Sequence, residues 1–152
     1  MQEPRKPHLE AVRRIMRYIK GSADYGLLYR KGKYELTGYC DADFAGDKET
    51  RRSTSGILIT VCGAAIFASS KRQPIVADST VAAETIALYS LVKEVMWLRN
   101  FLEWLGYPQQ SPTSLWCDNA GAVCNCEDGA ERHKTKHLDI KYIFSGMQSE
   151  KD

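Results

Sequence analysis

Three carboxylates in this chain stand where strands and a helix would present them together. Asp41 follows the strand-like run Tyr34 to Cys40, where the chain turns into Ala42-Asp43-Phe44-Ala45-Gly46. Asp118 stands in the same relation to Thr113 to Cys117, with Asn119 and a helix behind it. Ligand sites of open α/β sheets lie beyond the carboxyl ends of the strands, so both acids point to one edge. Glu84 is the third. Positions 81, 84, 88, 91, 95 and 98 share one face of a helix, and that face is otherwise apolar. An ionised carboxylate turned inward is costly unless something neutralises it. A divalent cation held jointly by Asp41, Glu84 and Asp118 would do so. Paired magnesium ions, with manganese as a substitute, support phosphodiester cleavage by steadying the attacking and leaving oxygens. Each acid also has an ordinary reading: an Asx turn or helix cap for Asp41 and Asp118, and a stripe border that reaches solvent for Glu84. The three together, on the right elements, favour the metal.

A second cluster is basic. Arg132-His133-Lys134-Thr135-Lys136-His137 reads on its own as a solvated loop. Beside an acidic metal site it would bind nucleic acid, because phosphate neutralisation supplies most non-specific affinity. Lys71 and Arg72, at a turn before the long helix, and Asn119 beside Asp118 extend the same candidate surface. Cys124, Cys126, His133 and His137 offer a rival chemistry, a zinc site, although Cys-x-Cys is tighter than the usual ligand gap.

The elements that must position these groups follow from periodicity. Leu9, Val12, Ile15, Met16 and Ile19 recur at helical spacing between His8 and Lys20, and Gly21 is a stop. Strand-like runs come next: Tyr25 to Arg30, Tyr34 to Asp41, Ile57 to Val61 and Ala64 to Ser69, with Arg52 to Gly56 expected as a polar turn. They predict an antiparallel meander of three strands, or four if Tyr25 to Arg30 joins. A long helix capped by Asp78, Ser79 or Thr80 carries Val81, Leu88, Leu91, Val92, Val95, Leu98, Leu102 and Leu105, and Gly106 and Pro108 end it. Thr113 to Cys117 is then a strand and Ala120 to Asn125 starts a helix. A crossover helix between strands implies parallel pairing, so the expected class is α/β, a mixed βββαβα sheet with helices on its faces.

The chain has 152 residues, 43% hydrophobic and 26% charged, which suits one globular domain with a core of its own. A net charge of +2 excludes little, since a local basic patch suffices for phosphate contact. No run reaches the roughly 20 apolar residues of a membrane span, so no membrane association is expected. Five cysteines, an odd number scattered through apolar segments, predict reduced thiols and an intracellular protein.

Several strings, in order, resemble one family. Gly38-Tyr39-Cys40-Asp41-Ala42-Asp43-Phe44-Ala45-Gly46-Asp47, Arg52-Ser53-Thr54-Ser55-Gly56, Lys71-Arg72-Gln73-Pro74, Ala83-Glu84-Thr85-Ile86-Ala87-Leu88, Trp97-Leu98-Arg99, Cys117-Asp118-Asn119 and Thr135-Lys136-His137-Leu138-Asp139-Ile140-Lys141-Tyr142 closely resemble the ribonuclease H domain of copia-type retrotransposon polyproteins. His8-Leu9-Glu10-Ala11 and Tyr18-Ile19-Lys20-Gly21 resemble the end of the reverse transcriptase that precedes it, which sets expected units of 1–24 and 25–152.

The resemblance implies the ribonuclease H fold and magnesium-dependent, or manganese-dependent, hydrolysis of RNA paired to DNA. It also implies that Asp41, Glu84 and Asp118 are three of four metal-binding carboxylates, with Asp43 near them. The implied partners are an RNA/DNA hybrid and the reverse transcriptase part of the same polyprotein, without a small-molecule cofactor. The implied location is the cytoplasm, within a virus-like particle, and the nucleus as well. Departures matter. The family's following strand and fourth carboxylate are not recognisable before Asp152, so the last strand is expected to be missing, and Asp139 lies in the wrong motif to replace the acid. Ala68 stands where the family usually has Trp, and Ala82 where an acid commonly precedes the glutamate. Loss of a large core aromatic costs about 3–5 kcal/mol if the space is not refilled. The alternative expectation is therefore an impaired or domesticated remnant that binds nucleic acid or a protein without cleavage.

Overall fold

The computed structural model describes residues 3–132 and 140–144. A first helix, α1 (Lys6–Gly21), precedes three strands, β1 (Thr37–Asp43), β2 (Thr54–Val61) and β3 (Ala64–Arg72). The long helix α2 (Thr80–Trp104), β4 (Thr113–Cys117), α3 (Ala120–Arg132) and β5 (Ile140–Phe144) complete the order. The strands form one mixed sheet in the order β3-β2-β1-β4-β5. β1 pairs antiparallel with β2, β2 antiparallel with β3, and β4 parallel with both β1 and β5. The α/β class, the three-stranded meander and the parallel strand after the crossover helix are as expected.

Local chemistry explains the joints. Cys62 and Gly63 both have positive φ, 52° and 79°, as the tight turn between β2 and β3 requires. The Ser79 hydroxyl caps α2 by accepting the Ala82 N–H. Ala83, Ala87, Leu88, Leu91, Val92, Val95 and Leu98 of α2 are buried and cover the sheet, along with Glu84. With Ile59, Leu115 and Cys117 they form the core. Gly38 lets the helix sit this close: a Cβ there would lie 2.8 Å from Leu115 Cδ2 and 3.0 Å from Leu91 Cδ1.

Five expectations need correction. Tyr25 to Arg30 is not a strand; its ties to the sheet are the Arg30 N–H on the Cys62 carbonyl and the Tyr29 hydroxyl on that of Ala65. One backbone bond does not make a ladder. β1 runs on to Asp43, because Ala42 and Asp43 pair with Ser55 and Thr54, so Asp41 lies inside the strand and not at its end. For the same reason β2 begins at Thr54, within the expected polar turn. Its buried Ser53 and Ser55 neighbours are satisfied: Ser53 Oγ accepts the Ala45 N–H and Ser55 Oγ accepts Gln73 Nε2. The sheet edge expected to be empty beyond β4 is occupied by β5, whose Ile-Lys-Tyr-Ile-Phe run is rich in strand-forming residues. Ala68 is exposed on β3, so the absent tryptophan leaves no hole in the core.

The expected first helix forms, but its stripe is unpartnered. Leu9, Val12, Ile15, Met16 and Ile19 are all exposed, and α1 packs on none of the other described elements.

Candidate metal and nucleic-acid site

The three acids come from three elements. Asp41 projects from β1, Asp118 follows the last residue of β4, and Glu84 sits in the second turn of α2. Register brings the first two together. Tyr39 pairs with Trp116, and the parallel ladder, carried on, sets Cys40 beside Cys117 and Asp41 beside Asp118. Glu84 reaches them from above the sheet. The Ala42 backbone N–H donates to Asp41 Oδ1 at 2.9 Å and to Glu84 Oε1 at 3.1 Å, so two carboxylates meet on one donor.

Glu84 is the buried member, with 6% of its surface exposed, and its second oxygen, Oε2, has no hydrogen-bond partner among the described residues. Burial pushes its pKa up to about 7, the Ala42 N–H opposes the shift, and the nearby Asp118 and Asp41 charges add to it. A buried carboxylate with an idle oxygen fits a cation, which would satisfy that oxygen and offset the repulsion. The donor set fits as well. One oxygen each of Glu84 and Asp118 and the Cys117 sulfur lie within 4.8 Å of one another. Asp41 stands beside that group rather than in it.

Two residues escaped the sequence reading. Gln73 is buried and ties the sheet to α2: its Nε2 donates to Ser55 Oγ at 2.8 Å and to the Ala83 carbonyl at 2.9 Å. It thereby holds the helix turn that carries Glu84. Its place in the Lys71-Arg72-Gln73-Pro74 string was visible, but a polar side chain there gave no sign of burial. Cys117 is the other. The Cys40 thiol, which donates to the Trp116 carbonyl at 3.6 Å, stands beside it; their mutual interaction drives the Cys40 pKa far up and lowers that of Cys117, so Cys117 is the more acidic of the pair.

The basic candidates separate. Lys71 and Arg72 are exposed at the end of β3, in the register rows of Ala42 and Asp43. Two strand spacings, about 10 Å, separate them from β1 at the acidic end of the sheet. Arg72 is held by Asp47 at 2.6 Å, and Lys71 has no such tether among the described residues. Asn119 caps the third helix, its Oδ1 accepting the Ala122 N–H at 3.0 Å. Arg132 closes α3, and His133, Lys134, Lys136 and His137 lie outside the described residues. The rival zinc set weakens at its first pair. Cys124 and Cys126 are two apart on α3, and residues so spaced do not share a helix face. Cys124 is exposed while Cys126 packs against the core.

No family profile matches the chain. It is 39% identical over 142 residues to the retrovirus-related Pol polyprotein from transposon TNT 1-94 of Nicotiana tabacum, covering 93% of this chain and 11% of that protein. It is 35% identical over 145 residues to the corresponding polyprotein of transposon RE1 of Arabidopsis thaliana, covering 95% and 10%. The chain belongs to the Pol polyproteins of copia-type retrotransposons. This Pol segment spans 10–11% of the length of those relatives. Its fold is that of ribonuclease H: the LC11 ribonuclease H1 isolated from compost superposes with a TM-score of 0.54 at 14% identity, over 76% of this chain and 86% of that one. Among the described residues of the Pol segment, no helix is long and apolar enough to cross a membrane.

Proposed function

We propose that this Pol segment is a ribonuclease H that hydrolyses the RNA strand of an RNA/DNA hybrid during reverse transcription. One observation carries the reading: the buried Glu84, whose Oε2 has no hydrogen-bond partner among the described residues, lies near Asp41 inside β1 and Asp118 just past β4, on two parallel strands. Asp41, Glu84 and Asp118 would hold divalent cations, magnesium by preference for hard oxygen donors, with manganese as a substitute. Such ions, when bound, supply an activated water and charge stabilisation at the scissile phosphate. The chain's own residues do the rest. Gln73 fixes the height of Glu84 above the sheet through Ala83. The Ala42 N–H orients the inner oxygens of Asp41 and Glu84 and leaves Glu84 Oε2 available. Lys71, Arg72, Asn119 and the Arg132 to His137 run would take the phosphates, an electrostatic contact that carries no base specificity. Hybrid recognition then rests on helix shape and the 2′-hydroxyl.

The reverse transcriptase part of the same polyprotein is the proposed protein partner, and the exposed apolar stripe of α1 supports it. Units at 1–24 and 25–152 follow from the same reading. Five free cysteines support work inside the cell, in a cytoplasmic particle and the nucleus.

The test is cleavage of a labelled RNA/DNA hybrid in magnesium and in manganese, beside Asp41→Asn. Cleavage that disappears in the variant establishes the nuclease. Binding of the hybrid without cleavage in either metal would instead leave a domain that only binds.

A further inference from the structure

The tightest cluster of donor atoms at the sheet edge is not the three acids. It is Glu84, Asp118 and Cys117, one donor atom of each within 4.8 Å of the others. Cys117 is 1% exposed, and its Sγ lies 3.9 Å from the Asn119 carbonyl oxygen. A thiol in a magnesium site is a poor donor, because magnesium takes hard oxygen ligands. Sulfur and carboxylate oxygen together suit a borderline-soft ion, which binds such mixed sets in four-coordinate geometry. A second observation points to a ligand: Glu84 is nine-tenths buried and its Oε2 accepts no hydrogen bond among the described residues.

We propose that Cys117, Glu84 and Asp118 form a mixed thiolate–carboxylate site for a thiophilic divalent ion of the zinc class, overlapping the carboxylate site and competing with magnesium for it. The sulfur comes from the last residue of β4, one carboxylate from the helix above the sheet and one from the residue after β4. Asp41 takes no part; it lies beside the cluster and remains for oxygen-only coordination. Two ion classes would thus share Glu84 and Asp118. The sulfur-binding ion would draw these two carboxylates away from the arrangement that includes Asp41. The domain would then be held inactive by a zinc-class ion and released when the ion is removed. Binding itself does not depend on the nuclease reading, and its test needs no cleavage.

Cadmium serves as the probe, because its bond to a thiolate absorbs in the ultraviolet where magnesium and carboxylates do not. The full chain, reduced and freed of metal, is titrated with cadmium alongside a Cys62→Ser, Cys124→Ser, Cys126→Ser triple variant. The expected result is one ion per chain with thiolate absorption in both proteins. Adding Cys117→Ser, or Cys117→Ala to keep the apolar packing, should abolish the absorption, and Glu84→Gln should weaken binding at least tenfold. Three results overturn the site: no absorption in the unaltered chain, absorption that survives loss of Cys117, or affinity unchanged in Glu84→Gln. Loss of the absorption in the triple variant overturns it too, and moves the ion to the thiols of α3.

Discussion

Asp41 and Glu84 accept hydrogen bonds from the same backbone N–H, that of Ala42, at 2.9 and 3.1 Å. One acid belongs to the central strand and the other to the helix laid across it, so this shared donor joins the two layers. Repulsion between them is tolerated because the helix is anchored on both sides of Glu84, by Gln73 on the Ala83 carbonyl and by the packing of Ala87 and Leu88. The strain of the site is therefore electrostatic, and it is concentrated on one buried carboxylate.

Replacing that carboxylate should stabilise the metal-free chain while destroying its ion site. Glu84→Gln keeps an oxygen for the Ala42 N–H and removes the buried charge. We expect a higher melting temperature than the unaltered chain at neutral pH without metal. Magnesium should raise the melting temperature of the unaltered chain and leave that of the variant unmoved. Hybrid cleavage should fall at least a hundredfold. Thermal denaturation with and without magnesium checks the first two expectations.

The same residue sets a pH dependence. Its folded pKa, about 7, lies above the ordinary carboxyl value of 4.5, so the folded chain holds the proton more tightly than the unfolded chain. The resulting stability is present in full below the unfolded value and is lost as pH rises through the folded one. Denaturant titrations of the metal-free chain between these values should show a fall in stability that Glu84→Gln lacks. Asp47, shifted the other way chiefly by its hydrogen bonds to Thr50 and Arg72, acts at lower pH and is common to both proteins. A slope equal in the two proteins would show that Glu84 is ionised throughout.

Gln73→Ala should cost stability and ion affinity together. The change strips the Ala83 carbonyl and Ser55 hydroxyl of a buried donor, a loss of about 1–3 kcal/mol. Because Ala83 precedes Glu84, magnesium binding by calorimetry should weaken severalfold even at temperatures where the variant is fully folded. A variant that is less stable but binds magnesium normally would make Gln73 a structural tie alone.

Gly38 offers a test of how closely α2 must lie on the sheet. A valine there would drive its Cβ into Leu115 and Leu91, and overpacking of this kind costs about 1–3 kcal/mol. The lost stability should appear as a lower denaturant midpoint with an unchanged slope, because the folded state loses packing rather than compactness.

Lys71 and Arg72 should differ in their effect on hybrid binding. Lys71→Ala removes an untethered charge and should lower affinity while reducing the salt dependence by about one phosphate contact. Arg72 is already committed to Asp47, so Arg72→Ala should have the smaller effect on affinity and the larger one on the loop that Asp47 organises. Binding measured across a series of salt concentrations separates the two.

What the chain determined by itself is the set of elements and the acids they carry. The apolar period of α2, with Glu84 in step, is written in the order of residues from Val81 to Leu98, because a helix makes neighbours of residues three and four apart. The Cys62-Gly63 turn and the strands beside it are local in the same sense. The tertiary structure decided which side chains meet across elements. Strand register placed Cys117 beside Cys40 and brought a thiol, rather than Asp41, into the tightest cluster with Glu84 and Asp118. It also buried Gln73, left Ala68 in solvent and kept Tyr25 to Arg30 out of the ladder. Those outcomes depend on pairing between segments far apart in the chain, and a one-residue change of register reverses the face of every side chain in a strand. Periodicity along a single segment holds no record of that choice.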